Sequence, residues 1–141
     1  MVKIYTEFKE IRKIALKIKK KYKDLLSEEL LVKRIYFMKV EGWHGRALAT
    51  CMKVMEPYHT IIDRKYDFII QYAINKIDEV TEKMGKKQRW NYIKVITLHE
   101  MMHIGDEGKI RRHDIEDFRI LLKKFGIEWV SGKDLPDILG E

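Results

Sequence analysis

The sequence contains one cysteine, Cys51, and two prolines among its 141 residues. A lone thiol forms no internal disulfide and cannot supply a thiolate zinc finger, so a cross-linked secreted scaffold is excluded. No apolar run approaches the roughly 20 residues that a membrane-spanning helix needs. The opening stretch Met1-Val2-Lys3-Ile4-Tyr5-Thr6-Glu7 lacks the apolar core of a secretory signal. The expectation is a soluble cytoplasmic protein without membrane contacts. No Ser/Gly/Pro-rich linker and no internal repeat interrupts the chain, which suits a single domain over residues 1–141.

Charge is plentiful. Lys and Arg number 29 against 22 Asp and Glu, a formal net charge of +7, with a sequence pI near 9.4. Apolar residues still make up 45%, enough to bury a core. The basic surplus permits contact with nucleic acid or an anionic surface without requiring either. Lys17, Lys19, Lys20, Lys21 and Lys23 form one cluster, and Lys86-Lys87-Gln88-Arg89 forms another. They could give a weak nucleic-acid contact, and a basic nucleic-acid-binding module is one alternative reading of the chain. No nucleic-acid recognition signature accompanies them. A solvated helix face accounts for the first cluster equally simply.

The hydrophobic pattern predicts an α+β plan. Phe8, Ile11, Ala15, Ile18, Tyr22 and Leu25 recur at helical spacing and predict an amphipathic helix over 6–25. Three short strands are expected next, within 33–40, within 47–55 and over 66–72, with a turn at Gly42 and Gly45 around Trp43 and His44. In the third, Tyr66, Phe68, Ile70 and Tyr72 should face the core. Helical spacing returns at Ile77, Val80 and Met84 and ends at Gly85. A longer helix is expected from about Gln88 to Ile104, stopped by Gly105, and a last one over about Asp114–Phe125.

The long helix carries His99-Glu100-Met101-Met102-His103, an HExxH pattern. Four residues of α-helix advance about 400° and 6 Å, so both imidazoles leave nearly the same face and can share one Zn²⁺. Glu100, rotated about 100° from His99, is placed to act on water beside the metal as a general base. Val95, Ile96, Leu98, Met101, Met102 and Ile104 make this a mostly buried helix. A metal gives polar groups crowded there a partner. A catalytic zinc also needs a third protein ligand. Downstream candidates are Asp106, Glu107, His113, Asp114, Glu116 and Asp117. His113 is favoured because imidazole suits zinc, whereas Asp114 suits the cap of the following helix.

His99-Glu100-Met101-Met102-His103-Ile104, followed after a Gly-containing loop by His113-Asp114-Ile115-Glu116-Asp117-Phe118, resembles the phage-type metallopeptidase family. The resemblance covers about residues 33–126, including the Tyr66–Ile70 strand. It implies a minimal zincin-like fold with a small three-stranded sheet, zinc held by His99, His103 and His113, and Glu100 as the base. Met101 stands where that family's pattern leads one to expect Leu, a packing-equivalent change.

The expected activity is hydrolysis of peptide bonds in a polypeptide substrate, with Glu100 moving the proton of the attacking water to the leaving amine. The Tyr66–Tyr72 strand, if it lies at the sheet edge, could pair with an extended peptide. Tyr58, His59, His44 and Arg112 are candidates for stabilising the oxyanion, and spacing selects none of them. Trp43, Trp90 and Trp129 read as core or rim packing, and Cys51 as a small buried strand residue. A zincin-fold regulatory protein without peptidase activity is a second alternative, against which the intact Glu100 argues.

Overall fold

A computed structural model describes residues 3–55, 65–111 and 137–140. The expected last helix, with Trp129, lies outside the described residues, as do Tyr58 and His59.

The class is α+β. Along the described chain run β1 (Ile4–Glu7), α1 (Ile11–Lys21), β2 (Ile35–Glu41), β3 (Ala49–Lys53), β4 (Phe68–Ala73), α2 (Ile74–Val80) and α3 (Lys86–Met102). The three anticipated strands and the long helix fall where expected. The amino-terminal region differs, because a fourth strand, β1, precedes a shorter helix. β1 pairs antiparallel with β2, Tyr5 opposite Val40 and Glu7 opposite Met38. The Phe8 amide extends this ladder by donating to the Phe37 carbonyl over 2.9 Å. The Phe8 side chain nevertheless joins Ile11, Ala15 and Ile18 in the core. That shared burial gave the sequence a helical period extending back before the helix begins.

The sheet order is β1-β2-β4-β3. β2 and β4 are parallel, with Ile35 opposite Phe68 and Phe37 opposite Ile70, while β3 runs antiparallel to β4. β4 is therefore an inner strand, so the edge position on which peptide pairing with this segment depended is not met. Phe68, Ile69, Ile70 and Tyr72 are all buried, so both faces of the strand are covered. Its near-continuous apolar run is the pattern of such a strand. The edge on this side is β3.

α1 and α3 pack with the sheet in one core that includes Ile11, Ile18, Phe37, Ile70, Tyr92 and Leu98. α3 is buried almost all round, from Asn91 through Leu98 and again from Glu100 to Met102. Tyr22 and Lys94 tie the chain's end to this core. The Tyr22 hydroxyl donates to the Ile138 carbonyl over 2.6 Å, and the Lys94 ammonium meets the Asp137 carboxylate at 3.0 Å. No helix among the described residues is long and apolar enough to cross a membrane.

Candidate metal centre

His99 and Glu100 lie in the last turn of α3, and His103 is the residue that closes the helix. The four-residue spacing does what helix geometry requires. The two imidazole rings stand 5.2 Å apart, centroid to centroid. Donor atoms of His99, Glu100 and His103 lie within 4.8 Å of one another, the scale of a shared coordination shell. The His99 Nε2 is 4.0 Å from a Glu100 carboxylate oxygen.

His103 is oriented by the chain that follows it. Its Nδ1 lies 2.7 Å from the carbonyl oxygen of Arg111. A carbonyl only accepts, so Nδ1 carries the proton and donates, leaving Nε2 with the lone pair a metal needs. The Arg111 amide returns a bond to the His103 carbonyl, and Gly105 donates to Lys109 over 2.7 Å. Residues 104–110 thus form a tight hairpin closed by an Ile104–Ile110 bridge. Its tip turns at Glu107 and Gly108, with φ of 60° and 69°. Two contacts fasten the tip to the segment after α1. The Ser27 hydroxyl bonds the Asp106 carboxylate, and the Glu107 amide donates to Glu29.

Glu100 is 6% exposed. Burial raises the pKa of the Cys51 thiol on β3 and the Tyr72 phenol on β4 well above their usual ranges, and the nearby Glu100 carboxylate adds to both effects. Tyr72 also meets the Thr97 hydroxyl at 2.7 Å, while Thr97 donates to the Ile93 carbonyl. With the threonine proton used there, Tyr72 is the donor and its own proton is committed. The Cys51 and Tyr72 groups near Glu100 are therefore held in their neutral forms.

The residues present fit a metal: two imidazoles converge, one in a fixed tautomer, beside a carboxylate. Asp106 and Glu107, two of the candidate third ligands, are not in the cluster. Asp106 engages Ser27, and the exposed Glu107 side chain is 3.6 Å from Lys109. His113, Asp114, Glu116, Asp117 and Arg112 lie outside the described residues. His44 is exposed on the turn after β2 and is not in the cluster either. Cys51 is half-buried in β3. The Arg111 carbonyl and the Tyr72–Thr97 pair escaped the sequence reading. A backbone acceptor leaves no residue-type signal, and the pairing of Tyr72 with Thr97 exists only once β4 packs on α3.

No curated protein and no solved structure matches the chain. A family model described as "Putative phage metallopeptidase" matches residues 3–136. The match spans nearly the whole sequence, and the chain belongs to this metallopeptidase family.

Proposed function

We propose that the protein is a zinc-dependent endopeptidase in which His99, His103 and His113 hold the ion and Glu100 is the general base. The observation that carries this reading is the convergence of His99, Glu100 and His103, with the His103 ring oriented through the bond from its Nδ1 to the Arg111 carbonyl. Imidazole donors suit zinc among the divalent metals. When bound, zinc supplies the positive charge that polarises a scissile carbonyl and eases the deprotonation of water.

Glu100 accepts the proton of the attacking water and passes it to the leaving amine. Its burial keeps the proton between reacting groups rather than losing it to bulk solvent. The His99 Nε2 stands 4.0 Å from the Glu100 carboxylate, so the base lies beside the proposed ligands.

Substrate is best received along β3. Leu48 and Val54 share ladder bonds with β4 at either end of this strand. By antiparallel alternation the intervening Ala49, Cys51 and Lys53 turn their amides and carbonyls outward. An extended polypeptide added there would be read through its main chain. Ala49 and Cys51 also pack against the core, which brings this edge towards the helix bearing Glu100.

Metal analysis of the purified protein, with cleavage of casein, tests the reading. One zinc per chain is expected, lost in His103→Ala and in His113→Ala. Glu100→Gln should keep its zinc while cleavage falls by about 10²–10⁴-fold. Full cleavage by Glu100→Gln would overturn the role of the base, and full zinc in His113→Ala would remove His113 from the ligand set.

A further inference from the structure

The positive charge of this protein is not spread over its surface. Residues 9–23 hold eight lysine and arginine side chains against one acid, Glu10, a surplus of seven. The whole chain has a formal surplus of seven, so the other residues balance to zero. α1 itself contains six cations and no acid in its 11 residues. This is charge segregation onto one helix, not the mixed-sign surface that serves solubility.

The arrangement on α1 is directional. Ile11, Ala15 and Ile18 face the core. Arg12 donates to the carbonyls of Val32 and Ile35, Lys19 donates to that of Ser27, and the Lys21 ammonium lies 5.7 Å from the centre of the Tyr22 ring. Lys13, Lys17, Lys20 and Lys21 are exposed on the outer side. Lys13, Lys17 and Lys21 form a row at four-residue spacing, about 12 Å from end to end. Like charges at that spacing cost an isolated helix a few tenths of a kcal/mol per pair.

From this we infer that the outer face of α1 is a docking surface for the phosphate backbone of nucleic acid, without sequence preference. Nothing on the face offers the bidentate base recognition that specific readout uses, and the basic ammonium groups act as point charges on phosphates. α1 is followed by Ser27 and Glu29, which hold the hairpin next to His103. A bound strand would therefore lie on the element that leads to the metal centre. The inference is independent of the peptidase reading.

The test is fluorescence anisotropy of the full-length protein with labelled random-sequence duplex DNA, and with single-stranded RNA of equal length, from 50 to 200 mM salt. At least one of these should bind with a log–log salt slope of about −3 to −4, as four phosphate contacts require, or roughly a hundredfold loss over that range. The variant Lys13→Gln/Lys17→Gln/Lys20→Gln/Lys21→Gln should bind at least tenfold more weakly with a flatter slope. Its far-UV circular dichroism and a cooperative thermal transition should be retained, which separates lost docking from lost folding. Lys86→Gln/Lys87→Gln, on α3, should bind as the unaltered protein does. The inference is overturned if neither probe binds at 50 mM salt, or if the four-lysine variant binds unchanged. It is also overturned if Lys86→Gln/Lys87→Gln is weakened equally, or if vesicles rich in phosphatidylserine bind through α1 while both nucleic acids fail.

Discussion

His103 and Arg111 hold each other twice: the imidazole Nδ1 donates to the Arg111 carbonyl over 2.7 Å, and the Arg111 amide donates back to the His103 carbonyl. The ring proposed as a metal ligand is thus set by the return path of a short hairpin. Gly105 sits in the neck of that hairpin, where an added Cβ would come within 3.1 Å of the Lys109 carbonyl and 3.6 Å of the Arg111 side chain. Gly105→Ala should push the return strand outward and weaken zinc binding by about tenfold, in line with the loss of an outer hydrogen bond to a metal ligand. Competition with a chromophoric chelator would measure it, and circular dichroism should show the fold unchanged. Unaltered affinity would show that the hairpin does not set the ring.

Tyr72 and Thr97 predict an asymmetry. Tyr72→Phe removes the donor, and Thr97 keeps its bond to the Ile93 carbonyl, so the cost should be about 1 kcal/mol. Thr97→Val instead strands the buried phenol and should cost about 1–3 kcal/mol. Urea denaturation of the two variants gives the comparison, and the threonine variant should be the less stable.

Lys94 and Asp137 form a nearly enclosed ion pair, with side chains 9% and 10% exposed. Lys94→Met removes the Lys94 charge from beside the buried carboxylate and should cost on the order of 3 kcal/mol. Adding Asp137→Asn should recover part of that loss, because it removes the stranded charge while the amide oxygen can still accept from Leu139. Chemical denaturation of the single and double variants measures the coupling.

Alkaline pH above about 10 should destabilise the protein. Burial raises the Tyr92 phenol to about 12 and holds the Tyr72 phenol higher still, against 10.0 for an ordinary tyrosine. Above pH 10 the unfolded chain loses protons that the native chain keeps, so native stability falls with rising pH. Below pH 10 these groups contribute their full share. Thermal midpoints from pH 8 to 12 should be flat at first and then decline, and Tyr92→Phe should soften the decline.

The sequence was most legible where one residue pattern has one geometric outcome. His99 and His103 at four-residue spacing on a helix had to leave the same face, and the apolar residues around them made that helix central. The Phe68–Tyr72 segment was recognisable as a strand from its own residues, but its place in the sheet was not. Neighbours in a sheet are set by partners more than 30 residues away, such as Ile35 opposite Phe68. β1 was hidden for a related reason. Four residues, three of them exposed, carry little periodicity, and Phe8 lends the following helix's pattern to a segment whose backbone belongs to the sheet.

The near-complete enclosure of α3 has a mechanical consequence. A rod walled in by neighbours along most of its length has little room to roll or slide, so the two imidazoles it bears are presented at a fixed angle. Any accommodation between this helix and a partner must then come from the partner, or from the segments that flank the helix.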